Sequence, residues 1–162
     1  MTEPVTGARL HVPVHLRWGD LDAYDHVNNV SLLKLLEEAR IRAIWKASGG
    51  QTHPTAVVEP EEVSGVQTVV ARQEIEYLSP VPYGPEPLDV ELWFGHLGGS
   101  SAEICYEVYS PVGEEPRTLY ARASAVLVVL SAETGKPARL TEPMRTAWTE
   151  YAGAPIAYGR RR

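Results

Sequence analysis

The chain has 162 residues, of which 44% are hydrophobic and 22% are charged, and this length and composition predict one globular domain with its own core. Its formal net charge of −6 argues against nucleic acid as a partner. No apolar run is long enough to span a membrane, and the N-terminus does not look like a signal peptide. The single cysteine, Cys105, cannot form an internal disulfide. Together these features predict a cytoplasmic protein without a membrane segment.

The chain opens with a predicted strand and a polar loop. Residues 12–18 alternate in polarity and predict a first strand, with Pro13 near its start, where a missing N–H is tolerated. Residues 20–28 are too polar for either regular element. They therefore predict a loop between the strand and whatever follows.

A long helix is predicted to begin at Asn29. The apolar residues then recur at three- and four-residue steps, and these residues are Leu32, Leu35, Leu36, Ala39, Ala43 and Ala47. Asn28, Asn29 or Ser31 could each cap its start, and Gly49-Gly50 would end it. An irregular connection follows over residues 51–65.

The second half of the chain predicts four strands and a short helix. Alternating apolar residues indicate strands over 66–78, 88–96 and 101–110, and a largely apolar run indicates a fourth over 118–130; breaker-rich turns separate them. The last of these strands is apolar through most of its second half, which predicts a place near the sheet centre with both faces buried. Residues 139–148 predict a short helix, capped by Thr141 and with Pro143 in its first turn.

The order of these elements predicts an α+β fold. Short turns between successive strands force antiparallel neighbours, and one long apolar helix and one curved sheet can bury each other. We expect a single domain over residues 1–162, with a core over about 12–130 and a C-terminal extension over 131–162. A helix this apolar needs more than one narrow sheet face to cover it, so we also expect the sheet to be extended by pairing with a second copy of the chain.

Three stretches of the sequence resemble a known family. Asp-Leu-Asp-Ala-Tyr-Asp-His-Val-Asn-Asn at 20–29, with Glu-Glu-Ala-Arg at 37–40 on the following helix, resembles the 4-hydroxybenzoyl-CoA thioesterase family of hot-dog proteins. The stretches 71–81 and 98–108 are similar to strands of that family. The resemblance implies a hot-dog fold, in which a long central helix is wrapped by about five antiparallel strands. It also implies homodimers or homotetramers with active sites at subunit interfaces, and hydrolysis of acyl-CoA or of an acyl carrier protein thioester.

The resemblance also implies roles for individual residues. Asp22 matches the catalytic carboxylate, the backbone N–H near Asn29 matches the group that polarises the thioester carbonyl, and His26 matches the histidine of one subgroup. Tyr24 stands where the related carrier-protein thioesterases have a functional asparagine. We therefore predict catalytic roles for Asp22, His26 and Asn29, and substrate contacts for Asn28, Tyr24 and Arg72.

The chemistry of thioester hydrolysis is compatible with these residues. A carboxylate can act as a general base for water or as a direct nucleophile, and the start of a helix offers free N–H groups to an oxyanion. Such a reaction needs neither a metal nor a cofactor. Asp20 and Asp25 are more simply explained as loop-capping or solvated acids, and Asn28 and Asn29 as helix caps. For His26 two roles are equally compatible with the sequence, namely ordering the loop by hydrogen bonds and contacting substrate or water.

Other sites have weaker support in the sequence. Ser100 and Ser101 lack the motif of a serine nucleophile, and Pro13 opposes the helix that a metal site at His11 and His15 would require. No lysine or arginine occurs from residue 73 to 116, so the phosphates of coenzyme A would need cations from elsewhere. The candidates are Arg72, Arg117, Arg122, Lys136, Arg139 and Arg145, or another subunit.

Two other functions are also compatible with the sequence. A hot-dog enzyme could hydrate or dehydrate an acyl thioester with Asp22 and His26 as acid and base, or the protein could bind acyl thioesters without catalysis. Four aromatic residues are candidates to line the substrate pocket, namely Trp93, Phe94, Tyr106 and Tyr109. The basic end of the chain, residues 160–162, is explained as a solvated tail.

Overall fold

Five antiparallel strands form one sheet, against which the longest helix packs. A computed structural model describes residues 7–47 and 53–159. The strands pair in the order β1-β3-β4-β5-β2. In chain order, the elements are β1 (Leu10–Val14), α1 (Asn29–Ile44), α2 (Glu61–Ser64), β2 (Val66–Tyr77), β3 (Leu88–Leu97), β4 (Ser101–Tyr109), β5 (Leu119–Ser131) and α3 (Glu142–Thr149).

These elements confirm the predicted α+β class and the predicted five strands. The first strand lies earlier than expected and ends at Val14, while Pro13 is tolerated because β1 is an edge strand. The short helix α2 was not predicted. Within the described residues, no helix is long and apolar enough to cross a membrane.

Helix α1 packs its apolar stripe on one face of the sheet. We define this inner face by Leu92, Tyr106 and Ala123, which are neighbours on β3, β4 and β5 and are all buried. The buried residues of the helix recur with helical spacing, and they are Leu32, Leu35, Leu36, Ala39, Arg40, Ala43 and Ile44. The predicted stripe is therefore confirmed as core up to Ala43.

The predicted end of α1 is wrong. The helix stops at Ile44, because Val58 donates its N–H to the carbonyl of Ile44 at 2.8 Å and accepts from the N–H of Lys46 at 2.9 Å. Pairing with Val58 therefore replaces the next helical turn, and Ala47 is not helical. The Gly49-Gly50 stop lies outside the described residues.

The strand buried on both faces is β3 and not β5, which corrects the prediction. The first seven residues of β3 are all buried, whereas in β5 the burial mostly alternates. On the outer face of the sheet, the carboxylates of Asp89 and Glu91 on β3 accept hydrogen bonds from Arg117 at 3.1 and 3.0 Å. Buried acids need such partners, which a strand pattern does not reveal.

The C-terminal part of the chain packs on the same sheet. Thr141 caps α3 as predicted, and Trp148 stacks on Phe94 with ring centroids 4.8 Å apart. The following segment crosses the outer face, where the indole of Trp93 donates to the carbonyl of Ala154 at 2.8 Å and the hydroxyl of Tyr158 lies 2.6 Å from that of Ser124. Residues 160–162 lie outside the described residues.

Candidate active site

A pocket of about 380 Å³ lies where the loop after β1, the start of α1 and the end of β2 meet. One wall is polar and is formed by the predicted catalytic stretch. The other wall, which we call the apolar wall, is formed by residues 77–81, from the last residue of β2 onward. The lining residues are Asp22, His26, Val27, Asn29, Leu32, Tyr77, Leu78, Ser79, Pro80 and Val81.

Asp20 closes the loop that carries the site. Its buried carboxylate accepts hydrogen bonds from the backbone N–H of Arg17 at 2.8 Å and from the guanidinium of the same residue at 3.0 Å. Its carbonyl accepts from the N–H of Asn28 at 2.8 Å, which brings the two ends of the loop together. Asp25 is exposed and adopts a left-handed φ of 59°, as turn residues of this type can. Both acids therefore have the structural roles expected from the sequence.

The carboxylate of Asp22 is oriented by the backbone of its own loop. Its Oδ1 accepts from the N–H of Tyr24 at 2.8 Å and of His26 at 3.3 Å, while its own N–H donates to the carbonyl of His26 at 2.8 Å. Within residues 7–47 and 53–159, no group donates to Oδ2. One oxygen thus holds the turn, and the other remains available to a substrate or a water molecule in the pocket.

The start of α1 lies at this pocket. Asn28 caps the helix, since its Oδ1 accepts from the N–H of Val30 at 2.8 Å. In the part of the chain that the structure describes, the N–H groups of Asn29 and Ser31 have no acceptor. Asn29 lines the same pocket as Asp22. A free N–H at the positive end of a helix dipole can stabilise an oxyanion.

His26 joins the two walls of the pocket. Its backbone bridges to Pro82, and the next residue, Val27, donates its N–H to the carbonyl of Val81 at 2.9 Å. The side chain is partly exposed and lines the pocket. The histidine therefore orders the loop through its backbone and is also one of the residues that line the pocket.

The structure does not bring the side chains of Tyr24 and Arg72 to this pocket. The side chain of Tyr24 is 81% exposed and is not part of the pocket lining. Arg72 lies on the outer face of β2, where its guanidinium is 3.5 Å from the carboxylate of Glu74. Among the described residues, no lysine or arginine lines the pocket of this chain.

The aromatic residues predicted to line the pocket lie elsewhere. Phe94 and Tyr106 are buried in the core, and the guanidinium of Arg40 donates to the hydroxyl of Tyr106 at 3.3 Å. Trp93 and Tyr109 lie on the outer face beneath arginine side chains. Alternation along a strand does not reveal which of its two faces meets the helix. On β3, which carries Trp93 and Phe94, both faces are buried, so burial does not separate them either.

The apolar wall was missed by sequence reasoning. Residues 77–81 form it, and from the sequence they are predicted only as the end of a family-like strand and the start of a turn, with no part in the site. Tyr77 is the strongest omission, because its hydroxyl donates to the carbonyl oxygen of Asn29 at 2.8 Å. The available signal was an aromatic residue at the last alternating position of the strand.

Metal binding has no support in the described part of the chain. No group of three or more histidine, cysteine, aspartate or glutamate side chains there could hold a metal ion. The Nδ1 of His11 instead lies 3.0 Å from the carboxylate of Asp89.

Comparison with known proteins agrees with this description. The family model of the thioesterase-like superfamily matches residues 16–148. The comparison with curated proteins gave no match. Among solved structures, a thioesterase from Thermus thermophilus, complexed with coenzyme A and Zn, is 32% identical over 94% of this chain and 99% of its own, with a TM-score of 0.66.

Two further solved structures share the fold. A 1,4-dihydroxy-2-naphthoyl-CoA thioesterase from Synechocystis is 20% identical over 87% of this chain and 94% of its own, with a TM-score of 0.66. The probable thioesterase YbaW from Escherichia coli is 22% identical over 90% and 98%, with a TM-score of 0.63. The predicted hot-dog fold is therefore confirmed.

Proposed function

The chain belongs to the thioesterase-like superfamily, and from this membership and the geometry of the pocket we propose that it hydrolyses acyl-CoA thioesters to a free acid and coenzyme A. One observation carries the proposal. Asp22, whose Oδ2 accepts no hydrogen bond from the described residues, and Asn29, whose N–H has no acceptor among them, line the same pocket. These are the two groups that hydrolysis of a thioester requires.

Each group has a defined part in the reaction. The Oδ2 of Asp22 takes a proton from water, whose oxygen attacks the thioester carbonyl, or it attacks the carbonyl directly. The carbonyl oxygen becomes an oxyanion and is stabilised by the N–H of Asn29 and the helix dipole. On the general-base route the C–S bond then breaks, the free acid leaves, and the thiolate takes the proton that Asp22 removed from water. On the nucleophilic route the C–S bond breaks to leave a mixed anhydride on Asp22, water hydrolyses this anhydride to the free acid and restores the carboxylate, and the thiolate takes the proton that this hydrolysis releases. Loss of one oxyanion donor costs about 2.7–4 kcal/mol in a studied hydrolase, so this donor would be a major contribution.

The apolar residues that line the pocket support an acyl group as the part of the substrate that is recognised. Val27, Leu32, Leu78, Pro80 and Val81 offer hydrocarbon surface beside the reacting groups. Burial of such surface is worth about 25 cal/mol per Å², which suits an alkyl or aryl acid. Coenzyme A as the thiol is supported by the bound state of the Thermus relative.

We further propose that the active form is a homodimer, or a homotetramer built from dimers. Strand β2 has 12 residues, pairs within the described residues only with β5, and exposes most of its side chains, so its other edge is open to a second copy. The pocket lies at the end of this strand. A partner subunit paired at this edge would lie close enough to complete the pocket. It would also supply the lysine or arginine side chains for the phosphates of coenzyme A, since none of the described residues that line the pocket is basic.

The test is a panel of acyl-CoA substrates with short, long, branched and aromatic acyl groups, followed by release of free thiol. We expect turnover with at least one class. Binding seen by calorimetry with thiol release at background for the whole panel would overturn the proposal in favour of a non-catalytic binding protein. Conversion of an enoyl-CoA to a hydroxyacyl-CoA without thiol release would instead identify a hydratase.

A further inference from the structure

Tyr77 makes a contact that joins the sheet to the start of α1. It is the last residue of β2, lines the pocket beside Asp22, and donates its hydroxyl hydrogen to the carbonyl oxygen of Asn29 at 2.8 Å. We propose that Tyr77 is a positioning residue that holds the oxyanion donor of Asn29 in place. The inference rests on the proposed thioesterase function and adds a residue to it.

The end of β2, which carries Tyr77, is fixed to β5 by hydrogen bonds. The N–H groups of Leu78 and Ser79 both donate to the carbonyl of Tyr120, at 2.9 and 3.1 Å. On the opposite face, the carboxylate of Glu76 accepts from the side chain of Arg122 at 2.6 Å. Tyr77 is therefore flanked on both sides by residues that are tied to β5.

The hydroxyl of Tyr77 contacts Asn29, the residue that carries the proposed oxyanion donor. The carbonyl of Asn28 accepts from the N–H of Leu32 at 2.9 Å, which holds the peptide that carries the N–H of Asn29 from the side of the helix. Tyr77 holds Asn29 from the other side, through its carbonyl. Burial raises the pKa of Tyr77, so the hydroxyl keeps its proton and remains a donor at neutral pH.

A positioning role predicts which kinetic constant changes. The oxyanion is absent from the bound substrate and develops in the transition state that leads to the tetrahedral intermediate, so a displaced donor destabilises the transition state and leaves ground-state binding unchanged. A misplacement of about 1 Å can cost about 100-fold in rate, and a partial shift costs less. We therefore expect Tyr77→Phe, which removes only the hydroxyl, to lower kcat about tenfold while KM stays within about twofold.

Tyr83→Phe is the matched control. Tyr83 is 49% exposed against 46% for Tyr77, and it lies outside the pocket. Both variants are assayed with the best substrate of the panel, and amide hydrogen exchange is measured by NMR in the same proteins at Val30 and Leu32, whose N–H groups are hydrogen-bonded to Asn28. We expect Tyr77→Phe alone to speed exchange at the helix start, and this readout does not depend on turnover.

Three results would overturn the inference. An unchanged kcat in Tyr77→Phe would show that the donor does not need the hydroxyl. A raised KM with unchanged kcat would show that Tyr77 only binds substrate. Unchanged exchange at Val30 and Leu32 would show that the contact does not hold the helix start. Absence of turnover in the wild-type protein would instead count against the proposed function, and the exchange result would still decide the role of Tyr77.

Discussion

Replacing Asn28 with aspartate should separate the stability of α1 from its electrostatic role in catalysis. The side chain caps the helix through Oδ1, 2.8 Å from the N–H of Val30, and a carboxylate keeps this acceptor. A negative charge at a helix start stabilises by about 0.3–1 kcal/mol. For a chain of this size, that corresponds to a rise in Tm of up to about 4 °C.

The same charge should oppose the reaction. An oxyanion held by the N–H of Asn29 would lie about 6 Å from the new carboxylate, given ordinary hydrogen-bond lengths. The repulsion at that distance is about 0.7 kcal/mol in a water-like medium and about 2.8 kcal/mol at an effective dielectric constant of about 20. We therefore expect Asn28→Asp to lower kcat by between about threefold and about 100-fold, and added salt to restore part of the loss.

The assay is thiol release together with thermal unfolding of each variant. Asn28→Ser keeps a capping oxygen without the charge, and we expect its Tm and kcat to stay close to wild type. Asn28→Ala loses the cap and should lose about 1 kcal/mol of stability. Full activity in a folded Asn28→Asp protein would refute the reasoning, because it would show that no negative charge develops at this helix end.

Three other predictions follow from the fold. Trp148→Phe removes the buried hydrogen bond from the indole to the carbonyl of Thr55 at 2.9 Å and leaves a cavity, so it should lower the free energy of unfolding by about 1–3 kcal/mol in a denaturant titration. The pKa of Glu76 is lowered by its hydrogen bond from Arg122, so this pair stabilises the fold above the ordinary pKa of 4.5 and less as the pH falls below it. Glu76→Gln should accordingly flatten the fall in Tm between about pH 5 and 3, and an unchanged slope would contradict this. Burial raises the pKa of Cys105 to about 12, so the native protein should give no rapid reaction with a disulfide reagent, whereas the unfolded chain should give one thiol.

The features that were predictable from the sequence are those that local patterns determine. The strands themselves, the stripe from Leu32 to Ala43 and the caps at Asn28 and Thr141 all depend on neighbours within a few residues. The loop over residues 20–29 could be identified as the candidate site because its motif resembles a known family. The roles predicted for Asp22, His26 and Asn29 remain predictions that their shared pocket supports.

The features that were missed depend on partners far along the chain. The end of α1 is set by Val58, and the burial of Asp89 requires Arg117. The hydroxyl of Tyr77 contacts a residue 48 positions away. No periodicity of hydrophobic residues encodes such pairings. Arg72 was expected near the substrate, and its place on the outer face follows from the alternation of β2 once the strand is oriented.

The proposed role of Asp22 is tested most directly by comparing Asp22→Asn with Asp25→Asn in the thiol-release assay. An amide at position 22 would keep the oxygen that holds the turn and lose the charge, while an asparagine at position 25 would tolerate the left-handed backbone of that exposed site. We expect Asp22→Asn to lower kcat by about 100- to 10,000-fold in a folded protein and Asp25→Asn to leave it unchanged. Equal turnover in the two variants would contradict a catalytic Asp22.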